Sequence, residues 1–462
     1  MKVFVESCDW VVTMDDAGTE ISGGSILIDN GVITWIGTGL PPAEGIDERI
    51  DGRGTVATPG LINAHHHLYQ TLTRTRAQGK GLFGWLQELY PIWAGVDDEW
   101  LYAASRVGLA ELALSGCATT TDHHYIFPRG DAANGTALLA AEINAARKIG
   151  LRFHPCRGSM DLGASGGGLP PDSIVQDADT ILAQTEEAVR RFHDPAPGAM
   201  VRIAVAPCSP FSASQRLMHE SAALARRLGI RLHTHIAETL DEDAYCRQHF
   251  GKNPMELLDD LGWLGPDVWL AHCVHLTDAG IHAIARGATG VAWCPTSNLR
   301  LGSGIAPVRR LLDAGARVGL GVDGSASNDG GHMLAEARMG MLVARTGGAG
   351  AMSAREALRV ATQGGAACLG RDDIGSLEIG KRGDVALFGV DGLDFAGTDA
   401  DPVAALVFCA PQRVRHLIVD GHLVVRDARL TGADEDAIAV EGRRVTSRIA
   451  RQLDGGPRSV VR

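Results

Sequence analysis

Lysine is scarce in this chain, occurring only at positions 2, 80, 148, 252 and 381 of 462 residues. Basic residues number 43 against 55 acidic ones, a formal net charge of -12. That balance argues against a polyanionic partner, because nucleic-acid binding normally needs a basic face. No C-x-x-C pair occurs among the nine cysteines, at 8, 117, 156, 208, 246, 273, 294, 368 and 409. A scattered, odd-numbered set suits a reducing compartment rather than a disulfide framework. No apolar run reaches bilayer length, and the opening MKVFVESCDWVVTMDD is broken by Glu6, Asp9 and two further acids before a signal-type apolar stretch can form. The expectation is a cytoplasmic protein with neither membrane nor nucleic acid as partner. Internal repeats of fixed period and low-complexity linkers are also missing.

What is present describes a folded, turn-rich protein: 45% hydrophobic residues, 21% charged residues and 58 glycines. The length allows two or three domains, or a large barrel with an appended module. Residues 1 to about 57 are β material, with Asn30-Gly31 between the apolar runs Ser25-Ile26-Leu27-Ile28 and Val32-Ile33 as a hairpin signal. The same texture returns in Asp384 to Phe388 and in Val414 to Val425, where Asp420-Gly421 separates two strand-like runs. The two ends, 1–57 and 376–462, are therefore expected to build one small β-sandwich domain.

Between them, short apolar strands alternate with amphipathic, Ala- and Leu-rich segments. Strands are read near Gly60 to Ala64, Ala118 to Asp122, Leu151 to Cys156, Val201 to Ala206, Ile230 to His235, Val268 to His272, Gly290 to Cys294 and Val318 to Asp323. Eight such units favour the α/β class and a closed (β/α)8 TIM-like barrel over 58–375, completed by a helical stretch from Ser353 to Leu369. The glycine-rich Gly163 to Pro171 reads as a flexible lid over the barrel mouth. As a phosphate cradle it lacks the following Gly-Lys-Ser/Thr and the helix start.

Residues 63 to 68 read NAHHHL. Successive side chains on a strand point to opposite faces, so His65 and His67 share one face and His66 takes the other, where it is expected to be structural or solvated. Barrel enzymes carry their chemistry at the C-terminal ends of the strands. There the sequence places His65 and His67 on strand one, His235 and Glu238 on strand five, His272 on strand six and Asp323 on strand eight. Singly, His272 reads as a satisfied core histidine, Asp323 as a helix N-cap and Glu238 as a solvated helix residue. Their recurrence at successive strand ends is hard to attribute to chance. Two or three imidazoles and a carboxylate suit one borderline divalent ion with a position left for water.

The chain resembles the amidohydrolase superfamily, in its mononuclear deaminase branch, over nearly its whole length. The motifs that carry the likeness are Pro59 to His67, His235-x-x-Glu238, Ala271-His272-Cys273, Val322 to Asn328 and Gly380 to Asp384. The resemblance implies His65, His67, His235 and Asp323 as metal ligands, with Glu238, His272 and Asp323 catalytic. It implies one ion, zinc being expected and iron(II) suiting the same donors. Binuclear members usually bridge two metals through a modified lysine on the fourth strand, and no lysine lies near Ala206. The unrelated cytidine-deaminase signature is absent too, since Pro207-Cys208-Ser209-Pro210 has no second cysteine.

The implied activity is hydrolytic deamination of a small heterocycle. The stretches His67 to Arg74 and Arg157 to Gly163 are similar to those of 8-oxoguanine deaminases, and triazine hydrolases share the texture. The preferred reaction is 8-oxoguanine and water giving urate and ammonia. Guanine, isocytosine, aminotriazines and S-adenosylhomocysteine are alternatives, and a noncatalytic scaffold is disfavoured by the complete ligand set. Gln70, Trp85 and Arg157 are candidate substrate-binding residues, although Arg157 reads equally as a structural ion-pair partner and Trp85 as core. His123 and His124 stay unassigned. A homo-oligomer is implied by the habit of relatives.

Overall fold

The computed structural model describes residues 1–41, 44–128 and 135–454. Strands β1 (Lys2–Val12), β2 (Glu20–Asp29), β3 (Val32–Thr38), β4 (Glu48–Asp51) and β5 (Thr55–Pro59) open the chain. The β2–β3 turn is made by Asn30 and Gly31, at φ 48° and 77°. Those two left-handed residues match the right-handed twist of the hairpin, which is why Asn-Gly is legible as a turn.

The next eight strands are β6 (Leu61–Asn63), β7 (Cys117–His124), β8 (Arg152–Ser159), β9 (Ala204–Pro207), β10 (Arg231–Ile236), β11 (Val268–His272), β12 (Gly290–Trp293) and β13 (Arg317–Leu320). They pair in parallel and close into a barrel in sequence order, β13 returning to β6. Because helices cover the outside and side chains fill the inside, these strands are buried on both faces, as the all-buried Cys117–His124 shows. Asn63 seals the closure. Its Nδ2 donates to Thr120 Oγ1 at 3.0 Å and its Oδ1 accepts from Val322 N at 2.9 Å.

The expected strands are all present, with two shifts. The fourth begins at Ala204, since Val201 makes only an isolated bridge to Phe153. The eighth ends at Leu320, because Val322 N is taken by the Asn63 side chain and the backbone turns left-handed at Asp323, φ 61°. The helical stretch after Ser353 runs from Ala354 to Cys368 with a π turn at Val360–Gly364. Gly364 and Gly365 permit this close approach: a Cβ on the first would meet Val318 O at 1.9 Å, and on the second Ile62 at 2.8 Å.

The chain then adds β14 (Val385–Gly389), β15 (His416–Val419), β16 (His422–Arg426) and β17 (Arg429–Leu430). One mixed sheet runs β17-β16-β15-β14-β5-β1-β2-β3, with β4 alongside β1. Antiparallel pairing of β14 with β5 is what unites the two ends of the chain. A helix, Glu435–Asp454, then returns across the helix Asp98–Leu114, where Arg448 holds Asp97 through two bonds of 2.7 and 2.8 Å. No helix among the described residues is long and apolar enough to cross a membrane.

Barrel and sheet are tied by a buried charge. Arg152, at the base of β8, donates to both oxygens of Asp384 at 3.2 and 3.1 Å and to Asp420 at 3.2 Å. Removing one partner of a buried pair leaves an uncompensated charge. Asp384→Ala is therefore expected to lower unfolding free energy by about 3 kcal/mol in a denaturant titration. A change within about 0.5 kcal/mol, the size usual for a surface substitution, would show that this pair does not join the two parts.

Candidate metal centre

The polar side chains named from the sequence converge at the C-terminal mouth of the barrel. Local backbone geometry helps to place them. Ala237, His272 and Asp323 have φ of 52°, 70° and 61°, so the chain turns sharply off strands five, six and eight where those polar side chains arise. Left-handed backbone in residues with a Cβ costs free energy and persists only where its surroundings enforce it.

Hydrogen bonds to carbonyl oxygens set the histidine tautomers. His67 Nδ1 donates to His123 O at 2.8 Å, and His235 Nδ1 donates to Cys208 O at 2.7 Å. His233 Nδ1 donates to Trp269 O at 2.8 Å, so its Nε2 accepts from His65 Nδ1, also at 2.8 Å. A neutral imidazole carries one N–H, so His65, His67 and His235 each present an unprotonated Nε2. Burial pushes all three rings below their ordinary pKa, keeping them neutral.

The three lone pairs face one another and a carboxylate. His67 Nε2 and His235 Nε2 lie 3.0 Å apart, while Asp323 Oδ1 is 3.3 Å from both His65 Nε2 and His67 Nε2. His65 Nε2 has no hydrogen-bond partner among the described residues. A tetrahedron with metal–ligand bonds of about 2.0–2.1 Å has edges of about 3.3 Å, so the spacing fits a divalent ion. Facing lone pairs are otherwise repulsive. Asp323 is steadied by Ser297 and Ser327 hydroxyls on Oδ2, at 2.6 and 3.2 Å, and by Gly324 N on Oδ1 at 2.7 Å.

Beside this donor set sits a second pair. Glu238 Oε2 is 3.5 Å from His272 Nε2, and Ser303 Oγ donates to Glu238 Oε1 at 3.1 Å. Burial raises the Glu238 carboxyl, with His272 opposing. Burial works against the charged form of His272, but Glu238 and Asp323 outweigh it and the ring is raised. Both shifts favour the protonated form of each group, as suits a pair that moves protons.

The cavity touching these groups is small, about 30 Å³, and is walled by Leu82, Trp85, Leu86 and Tyr90 together with Phe211 and Leu301. The first four recur at helical spacing on one face of Leu82–Trp93. That helix covers the mouth. The glycine-rich segment expected to do so does not line the cavity: Leu169 N is tied to Phe211 O at 3.0 Å, and Ser165 Oγ to Asp172 at 2.9 Å. Gln70 does line it, with Oε1 buried and without a hydrogen-bond partner among the described residues, and so does Trp85, whose indole N–H donates to Ala326 O at 3.1 Å.

Arg157 is not brought to the cavity wall. Its guanidinium lies over the Phe127 ring and donates to Gln176 and Gln184 at 2.5 and 2.8 Å, because the end of β8 turns it outward among buried amides. His66 is fully packed rather than solvated. His123 stacks on His235 with ring centroids 4.7 Å apart and bonds Ala206 O. His124 joins Asp122 and Glu142 in a buried cluster behind the site, where burial raises both carboxyls and Asp122 accepts Leu68 N at 2.5 Å. His233 was missed as a supporting residue, although its period-two relation to His235 put it on the same face of the strand.

A sequence profile described as the Amidohydrolase family matches residues 56–424. The chain is 45% identical over 433 residues to 8-oxoguanine deaminase of Pseudomonas aeruginosa, spanning 93% of this chain and 95% of that one. It is 37% identical over 449 residues to hydroxydechloroatrazine ethylaminohydrolase of Pseudomonas sp. strain ADP, covering 93% and 92%. Among solved structures, zinc-complexed atrazine chlorohydrolase from Arthrobacter aurescens TC1 superimposes with a TM-score of 0.91 at 35% identity, covering 96% of this chain and all of that one.

His233 Nε2 is spent on His65 Nδ1 and so does not join the facing lone pairs. His233→Ala should weaken zinc binding by about 10–100-fold in competition with a chelator, because His65 loses the acceptor that orients it. Unchanged affinity would mean that the His233 contact does not set the His65 tautomer.

Proposed function

The chain belongs to the amidohydrolase family, and on that premise we propose that it is a metal-dependent hydrolytic deaminase whose preferred reaction is 8-oxoguanine and water giving urate and ammonia. The observation that carries this reading is the convergence of three Nε2 lone pairs and Asp323 Oδ1 beside the Glu238–His272 pair. His65, His67, His235 and Asp323 would hold one ion, zinc for preference, with iron(II) suited to the same donors. The likeness to 8-oxoguanine deaminase over 93% of the chain supports the choice of substrate.

A divalent ion bound there lowers the pKa of water to about 7 and so makes hydroxide available at neutral pH. The remaining work belongs to the side chains. Asp323, fixed by Ser297, Ser327 and Gly324, is an acceptor placed to orient the attacking water and take its proton, with His272 on the other side. Burial raises the Glu238 carboxyl, and Glu238 is the group placed to deliver a proton to the ring nitrogen next to the carbon that bears the amine. Left as a carboxylate, Glu238 then takes the proton of the newly added hydroxyl and passes it to the amine, which leaves as ammonia, and the proton held by Asp323 returns to Glu238. Ser303 fixes one Glu238 oxygen so that the other stays toward His272.

The walls favour a flat, compact ring. Trp85, Leu82, Leu86, Phe211 and Leu301 offer apolar faces, and Gln70 Oε1 offers one unused acceptor to a ring N–H. A ribose would find few partners on that side. A cavity of about 30 Å³ holds water rather than a purine, so entry of a ring requires the apolar walls to give way. The triazine reading rests on the 37% identical ethylaminohydrolase and would replace ammonia by an alkylamine at the same carbon.

Metal-replete protein offered 8-oxoguanine, guanine, isocytosine, S-adenosylhomocysteine and aminotriazines should release ammonia fastest from 8-oxoguanine, with matching urate absorbance. Release only from another ring would keep the mechanism and overturn the substrate. Glu238→Gln should retain metal yet lose about 10²–10⁴-fold in turnover, as expected of a proton-transfer group. If metal content fell in step with activity, Glu238 would be a ligand instead.

A further inference from the structure

At the opposite end of the barrel, a cavity of about 220 Å³ opens among the N-terminal ends of β9, β10 and β11. Its polar lining is Arg202, Arg231, His154 and His193, and no carboxylate among the described residues lines it. In a chain of net charge -12 this is a local excess of positive charge. We propose that this cavity binds a small oxyanion of the phosphate class. The inference does not rest on the deaminase reading, since none of these residues touches the metal centre's cavity.

Among the described residues, neither arginine forms an ion pair with a carboxylate. Arg231 donates only to carbonyl oxygens, Nε and Nη2 to Cys368 O at 3.1 and 2.8 Å and Nη1 to Pro266 O at 2.9 Å. Arg202 Nη2 donates to Pro195 O and Ala196 O at 3.3 and 3.0 Å, while its Nε is buried with no partner among the described residues. Both arginines are half-buried at the cavity wall, and an anion there would give the unpartnered Arg202 Nε an acceptor and both guanidinium groups a counter-charge.

Four of the acids nearby, Asp373, Asp384, Asp420 and Asp267, are already paired with other arginines. Asp373 closes on Arg371 at 2.6 and 2.7 Å and also accepts Gly198 N. Asp384 and Asp420 hold Arg152, Asp267 holds Arg226, and Asp194 caps the turn at Ala196 N. The two imidazoles add donors rather than acceptors. His193 Nδ1 accepts from Ile203 N at 3.0 Å, and His154 Nε2 accepts from Arg371 Nη1 at 3.0 Å. Each neutral ring therefore keeps its proton on the other nitrogen, for which no hydrogen-bond partner is found among the described residues.

The positive field is clearest at His154, which burial lowers with Arg371, Arg202, Arg152 and Arg231 adding to the shift. Burial also lowers Arg202, with Arg371 and Arg152 adding and Asp373 and Asp194 opposing. A phosphoryl group matches such a set because guanidinium forks pair with two oxygens at once while imidazole N–H groups take a third. Free phosphate and a phosphate carried on a nucleotide share this chemistry.

The test is isothermal titration of the full, metal-loaded chain with inorganic phosphate at constant ionic strength, beside Arg202→Gln and His193→Ala. The expected result is one saturable site, weakened about 10–100-fold in Arg202→Gln through loss of charge-assisted hydrogen bonds. His193→Ala should weaken it in the same direction, which keeps the test decisive if the arginine variant fails to fold. A purine nucleoside monophosphate that binds more tightly, and loses that binding in the same variants, would assign the site to a phosphoryl group on a larger ligand. No saturable binding, or binding untouched by either variant and abolished by removing the metal, would overturn the proposal and place the anion at the catalytic centre.

Discussion

The site depends on one constraint: three imidazoles are made to present the same kind of atom to one point. A histidine has two nitrogens and no intrinsic preference strong enough to choose between them as ligands. The choice is imposed by carbonyl oxygens of His123, Cys208 and, through His233, Trp269. Those carbonyls belong to strands or to the residues just beyond them, so the tautomers are as rigid as the barrel. Asp323 is held as firmly by two serine hydroxyls and a backbone N–H. Fixed donors lose little freedom on binding an ion, and the facing lone pairs supply a reason for the ion to be there.

The rest of the fold serves that arrangement. Parallel strands present their C-terminal ends together, and Asn63 ties the first strand to its two neighbours just before the chain delivers His65 and His67. The left-handed residues at His272 and Asp323 are tolerated because the surrounding barrel is packed on both sides. Away from the mouth, the Arg152 ion pairs anchor the barrel to a sheet whose strands come from both ends of the chain. The Gly380 to Asp384 motif, far in sequence from the metal site, thereby has a structural task of its own.

Much of this was legible in the sequence because it follows short-range rules. Asn-Gly and Asp-Gly marked hairpins, and the spacing of apolar runs counted eight strands, whereas the first barrel strand ends at Asn63, so His65, His66 and His67 lie beyond the alternation by which they were sorted. The parts that escaped depend on what each side chain meets across the fold. Arg157 stood at a strand end like the candidate ligands, but its Nη2 donates to Gln176 and Gln184, contacts that its own position does not reveal. The cover over the mouth was expected of a glycine-rich loop, whereas the helix Leu82–Trp93 provides it. Glycine content reports backbone freedom, and it was the apolar spacing within that helix that carried the information. His233 was visible as a residue, yet its role rests on a hydrogen bond to a ring 168 positions away.

The most direct test of this account is X-ray absorption at the metal edge of the zinc-loaded chain. Three imidazole nitrogens and a carboxylate oxygen predict a light-atom shell at about 2.0–2.1 Å with outer-shell scattering from three rings. A sulfur shell at about 2.3 Å, which would bring in Cys208 from the cavity wall, or scattering from a single ring, would contradict it.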